Sequence, residues 1–163
     1  MNLKYIPTPG PVVNPKWKQR NKRIAKFIGP NARVLDLGCG SKNLLSYLEH
    51  PIDYIGIDYN QPLADLSINF NYDFQLPAKE WDFIVCSGLL EYLDDLDHFF
   101  SHVKNYSKRY IFTFHTSSKL RKDLNKQHAV DNEKDFELLL SKYFKIHNII
   151  NLKTNTIFAC KDI

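Results

Sequence analysis

Few cysteines, no long apolar run and no acid near the start set the first limits on this chain. Its three cysteines, Cys39, Cys86 and Cys160, lack metal-ligand spacing, and two of them fall inside predicted strands, so reduced, mostly buried thiols in a cytoplasmic setting are expected. No stretch approaches the ~18 apolar residues that a membrane span needs. The start of the chain holds prolines and no apolar core segment, which excludes a secretory signal pattern. No internal repeat or low-complexity tract is visible. The first 35 residues carry eight Lys/Arg and no acid, so the rest hold fourteen basic against all eighteen acidic residues. Such polarity can steer an anionic partner toward one end. What remains, 163 residues at 44% apolar content, fits one globular domain with one core.

The stretch Arg33-Val-Leu-Asp-Leu-Gly-Cys-Gly40 organises that domain. Val34–Leu37 reads as a central strand of a parallel sheet, running into a Gly-x-Gly turn. Gly38 and Gly40 allow backbone angles and close approaches that a Cβ would block. The turn is expected to open a helix whose first N–H groups face a ligand. A second strand, Asp53–Asp58, also ends in an acid, and Asp58 lies 20 residues beyond Gly38. In nucleotide-binding α/β units an acid at that spacing holds ribose hydroxyls. A dinucleotide site, however, wants a third glycine where this chain has Asn43. Asp36 would also repel a pyrophosphate. A cationic nucleoside with a free amino group, such as S-adenosylmethionine, suits these acids better.

On these residues the chain resembles the class I S-adenosylmethionine-dependent methyltransferases, small bacterial members in particular. Val34–Gly40 is similar to their first motif, Ile55-Gly-Ile-Asp58 to their second, and Trp81–Leu93 to the segment after the adenine site. The resemblance implies an α/β, Rossmann-like, seven-stranded, mostly parallel sheet with helices on both faces and a C-terminal antiparallel hairpin. It covers the chain from about Trp17 onward.

Residues 1–15, with Pro7, Pro9, Pro11 and Pro15, read as a proline-rich leader or a strap over the site mouth. Residues 16–163 form the single domain. A helix is expected from Pro15 to Ile28, stopped by Gly29-Pro30, with Trp17, Arg20, Ile24, Phe27 and Ile28 on one stripe. Lys16, Lys18, Lys22, Arg23 and Lys26 make a basic face. Leu44, Leu45 and Leu48 line a short helix. Leu66–Phe70 is assigned as strand three, Trp81–Cys86 as strand four, and Arg109–Phe114 as strand five. Asp94, Asp95 and Asp97 read as capping a helix with Leu96, Phe99, Phe100 and Val103 inward, not as a metal site. No metal is expected. Asp131 or Asn132 caps a helix with Phe136, Leu139 and Leu140 inward, and Phe144–Leu152 and Thr156–Cys160 close the sheet.

Ligands of open α/β sheets sit at the carboxyl ends of the strands. That places Asp36, Gly38, Cys39, Gly40, Asp58 and Ser87-Gly88-Leu89 around one crevice, with Tyr59 against the adenine face. The adenine amino group needs an acceptor: Asn69, beside Phe70, in one register, or Asp73 in another. Arg20 interrupts its apolar stripe; it either snorkels past the core or reaches the methionine carboxylate. A general base is needed only for a poorly ionised acceptor, and His115 at the tip of strand five and His128 in the 115–130 loop are the candidates. The Asn/Asp-Pro-Pro-aromatic clamp for nucleobase amines is missing, its place taken by Ser87-Gly-Leu-Leu90. Methyl transfer to oxygen of a small-molecule or glycan-type acceptor is therefore expected. RNA methylation is the second reading, and a silent cofactor-binding partner subunit the third. The lid over the crevice is either the leader with the 115–130 loop, a protein partner, or a second copy in a homodimer.

Overall fold

A computed structural model describes residues 4–5 (backbone only), 17–59, 61–78, 80–115, 130 and 132–163. The leader beyond Lys4–Tyr5, most of the 115–130 loop and His128 lie outside the described residues.

Among the described residues seven strands form one sheet: β1 (Lys4–Tyr5), β2 (Arg33–Leu37), β3 (Ile52–Ile57), β4 (Phe83–Cys86), β5 (Arg109–His115), β6 (Phe144–Asn151) and β7 (Asn155–Asp162). Their spatial order is β1-β3-β2-β4-β5-β7-β6. β2 to β5 pair in parallel, and β7 enters antiparallel between β5 and β6. Only β1 and β7 run against the other strands. Among the described residues the helices are α1 (Lys18–Ala25), α2 (Leu96–Val103) and α3 (Glu133–Leu140), with 3-10 segments at Asn43–Tyr47 and Leu90–Tyr92.

Side-chain alternation sorts the core into two layers, because successive strand residues face opposite sides. On one side Leu35, Leu37, Ile84, Cys86, Tyr110 and Phe112 meet the inner faces of α2 and α3. On the other, Val34, Tyr54, Phe83, Val85 and Ile111 meet Ile24 and Ile28 of the α1 segment and Leu44, Leu45 and Leu48. The expected caps are present: Asp95 accepts from the His98 N–H (2.9 Å) and Asn132 from the Asp135 N–H (3.0 Å). The closing hairpin is also as expected.

Strand three is not. Of Leu66–Phe70, only Leu66 meets the sheet, through one parallel bridge to Ile57. The Asn69 side chain then accepts from the Asn71 N–H (3.1 Å), and the Tyr72 N–H reaches the Asn69 carbonyl (3.3 Å). This Asx turn bends the chain off the sheet edge. β3 is thus covered in two pieces: its start by antiparallel β1 and its end by Leu66. The count of seven strands holds, with β1 in place of the assigned strand.

Candidate active site

The expected site lies at the carboxyl ends of β2, β3 and β4. Asp36 pairs with Gly56 in register and lies on the α1 side of the sheet. It is only 3% exposed. The Tyr54 hydroxyl donates to its Oδ2 at 2.7 Å. Burial pushes the Asp36 carboxyl up to about 7, against the opposing pull of the Tyr54 hydrogen bond and of Arg20. The same burial, with Asp36 beside it, drives the Tyr54 hydroxyl well above its ordinary range.

Arg20 does not snorkel. It is 8% exposed, its guanidinium beneath Gly88 and 5.6 Å from the Trp17 ring. Burial lowers its pKa, opposed by the charges of Glu91 and Asp36. Its Nε finds no hydrogen-bond partner among the described residues. The Ser87 hydroxyl is likewise buried and unpartnered. Gly88 is required here. Its φ is +78°, and an added Cβ would sit 3.0 Å from Arg20 Nη1. The Gly88 N–H donates to Thr113 Oγ1 at 2.9 Å, which fixes the turn to β5.

Gly38 is the second position where only glycine serves. At φ +74°, an added Cβ would lie 2.7 Å from Leu89 Cβ. Leu89 therefore packs directly on the bend. Cys39 is buried, and the missing Cβ of Gly56 makes room for its sulfur; burial pushes the thiol far up, away from reactivity. Among the described residues nothing lies within 4 Å of a Cβ added at Gly40.

One expectation fails usefully. The bend opens no helix with free N–H groups. The Gly38 and Cys39 N–H groups both donate to the Ile57 carbonyl (2.8 and 3.1 Å), the Gly40 N–H to Asp58 Oδ2 (2.9 Å), and the Lys42 N–H to the Cys39 carbonyl (2.9 Å). A five-residue 3-10 segment follows, entered through Lys42 at φ 56°. An anion site at a helix N-terminus needs donors left over, and these four are spent. A pyrophosphate finds little to hold it.

The other expected residues divide. Asp58 and Tyr59 stand at the β3 tip, Tyr59 exposed. Asn69 is half-buried and its amide oxygen already serves the Asx turn. The Phe70 ring is core, edge-on to Phe74 and Phe99. Asp73 turns to α2, its Oδ1 3.6 Å from His98 Nε2. His115 is half-buried at the β5 tip, opposite Asn155.

Three contributors carried no sequence signal of their own. Tyr54 holds Asp36, and Thr113 holds Gly88. Asp65 accepts from Gly56 N–H (2.8 Å) and pairs with Lys42 (2.6 Å), tying the chain after β3 to the bend. Only the β2–β3 register, which sets Tyr54 beside Val34 and two residues before Gly56 on the same face, reveals the first.

A buried acid, a buried guanidinium with an unpartnered nitrogen, and an acid at the next strand tip suit a ligand bearing an ammonium, a carboxylate and vicinal hydroxyls. Comparison with known proteins agrees. The fold is similar to a SAM-dependent methyltransferase from Aquifex aeolicus, with a TM-score of 0.67 and 14% identity over 93% of this chain and 95% of that one. It is similar to the putative methyltransferase solved with the Trm112 methyltransferase activator of Haloferax volcanii (TM-score 0.68, 13% identity, 90% and 92% covered). An rRNA methylase from Escherichia coli also matches (TM-score 0.61, 20% identity), over 91% of this chain and 64% of that one. A search among curated proteins finds no match. The sequence fits the methyltransferase domain family across residues 13–152. The chain belongs to that family and is a class I S-adenosylmethionine-dependent methyltransferase.

Proposed function

We propose that the protein transfers a methyl group to an oxygen of a small-molecule or glycan-type acceptor. The observation that carries this is the turn after β4. Leu89, in the stretch where nucleobase-amine enzymes keep an aromatic clamp, lies on Gly38 instead, so only the short Ser87 side chain stands at the strand tip. Ser87–Leu90 holds no aromatic ring to face a base.

The residues fit the cofactor. Asp36 would take the ammonium and Arg20, through its unpartnered Nε, the carboxylate of the methionyl end. Asp58 would accept from the ribose hydroxyls while keeping its bond to the Gly40 N–H. Tyr59 would flank the adenine, with the Asn69 region as its acceptor. Among the described residues Gly40 leaves open space beside the bend. S-adenosylmethionine, when bound, supplies an electrophilic methyl on a sulfonium. The chain's own task is then to orient the acceptor and exclude water, which can supply much of the acceleration. For a hydroxyl acceptor His115 is the general base; strand alternation puts it on the Asp36 side of the sheet. The lid comes from the leader, the 115–130 loop, a second copy or a protein partner. The methyltransferase from Haloferax volcanii, solved with an activator protein, is a precedent for the last.

Pools of small hydroxylated compounds and glycans, incubated with methyl-labelled donor, test the acceptor class; label appearing in an amine or in RNA alone would overturn it. His115→Ala should lower kcat by ~10²-fold or more while donor affinity stays the same. Unchanged turnover would remove His115 from the chemistry.

RNA is the second reading, favoured by the exposed Lys18, Lys22, Arg23 and Lys26 on and just after α1. Binding to RNA would fall steeply with added salt.

A further inference from the structure

We propose a transition-metal site, outside the cofactor crevice, formed by Asp73, His98 and His102 and suited to Zn2+. It lies on the α2 side of the sheet, whereas Asp36 and Arg20 lie on the α1 side. His98 and His102 are four residues apart on α2, so both rings leave the same helix face. Their centroids are 4.2 Å apart. Asp73 Oδ1 stands 3.6 Å from His98 Nε2 and 3.9 Å from His102 Nε2. All three donor atoms fall within 4.8 Å of one another.

These separations are too long for hydrogen bonds. They are near the ~3.4 Å between donors in a tetrahedral site with bonds of ~2.0–2.1 Å. The Asp73 side chain is 93% exposed and can swing the remaining few tenths of an ångström. His98 Nε2 is buried and has no hydrogen-bond partner among the described residues. His102 carries the support that metal-binding imidazoles have. Its Nδ1 lies 2.9 Å from the His98 carbonyl, so that nitrogen donates and Nε2 keeps the lone pair.

The residues flanking the aspartate are anchored as well. Asn71 is tied on both sides, donating to the Tyr92 carbonyl (3.3 Å) and accepting from the Asp94 N–H (2.7 Å). Phe74 packs on Phe99 and on the His102 ring. Asp73 sits between these anchors. Two imidazoles and a carboxylate select a zinc-like ion over calcium or magnesium, which prefer all-oxygen shells. Three protein ligands leave a fourth position for water. Binding would staple the segment after Leu66 to α2 and stabilise the folded state by mass action.

Calorimetric titration of the full chain with Zn2+ should give saturable one-to-one binding, and Co2+ should develop the visible absorption of a four-coordinate ion. His98→Gln and His102→Gln should each weaken binding by at least about tenfold. Asp73→Asn should weaken it less, and His147→Gln, on exposed β6, should leave it unchanged. Histidine side-chain NMR of the unmutated protein reads the same site without relying on a variant's folding: Zn2+ should shift the His98 and His102 rings and spare His147. Absence of saturable binding, or binding that survives His98→Gln and His102→Gln, would overturn the proposal.

Discussion

The two ends of the sheet use polar atoms in opposite ways. At the amino ends of β2, β4 and β5, every polar group described below is matched. Asp82 accepts from both the N–H and Nε of Arg33 (2.8 and 3.2 Å) and returns its own N–H to the Arg33 carbonyl (2.9 Å). The Ser107 hydroxyl donates to the Trp81 carbonyl and accepts from the Arg109 N–H. The Arg109 guanidinium lies 4.1 Å over the Phe83 ring. At the carboxyl ends, Asp36 and Arg20 are buried ionisable groups, and the Arg20 Nε and Ser87 hydroxyl lack partners among the described residues. Unmatched buried polar groups cost ~1–3 kcal/mol each. In the proposed binding mode a ligand completes the set.

Acid titration separates the ends by sign. Burial pushes Asp82 up, but the Arg33 hydrogen bonds and charge outweigh it, holding its pKa below the ordinary value. Asp82 therefore adds stability above the unfolded pKa, and that stability is lost as pH falls through the folded one. Asp36 does the reverse. Between its ordinary value and about 7 the folded chain holds a proton that the unfolded chain has released. The ligand-free protein loses stability from this group as pH rises through that window.

Substitutions sharpen the contrast. Gly38→Ala should be the most damaging, losing about 2–4 kcal/mol in chemical denaturation from left-handed strain and the clash with Leu89. A loss under ~1 kcal/mol would mean that Leu89 yields and the bend is not packed as described. Asp58→Ala should weaken S-adenosylhomocysteine binding by ~1.5–3 kcal/mol in calorimetry, the range for hydrogen bonds to a charged group; unchanged affinity would put the ribose elsewhere. Asp82→Ala should remove about 1–2 kcal/mol of stability, discounted for its partial exposure, and leave ligand affinity alone. If it altered affinity instead, the division between the two ends would fail.

The site's frame was legible because its signals are local. An apolar run ending in Asp-x-Gly-x-Gly, and a second strand ending in an acid, need no tertiary knowledge. The stripes of α2 and α3 and their caps were legible for the same reason. Strand three was not. Leu66, Ile68 and Phe70 alternate like a strand, yet Phe70 gains more by joining Phe74 and Phe99, and Asn69 turns the backbone. Between Asn69 and Asp73 the sequence leaned to Asn69, which follows Ile68 directly; that Asp73 stands beside the histidines of α2, distant in sequence, was not legible. The spent N–H groups of the bend were invisible too, because they depend on the Ile57 carbonyl across the β2–β3 register. Lys42 in a left-handed conformation, where glycine is usual, gave no warning of the 3-10 segment.

The account rests on Asp36 as the acid that meets a cationic ligand group, and the pH dependence of S-adenosylhomocysteine binding tests it most directly. In the proposed binding mode the free protein must, below about 7, give up a proton from Asp36 to bind. Affinity should therefore rise with pH, by up to about tenfold per unit, and level off above neutrality, and Asp36→Asn should weaken binding and flatten the profile. A flat profile in the unmutated protein, or an undiminished affinity in Asp36→Asn, would contradict it.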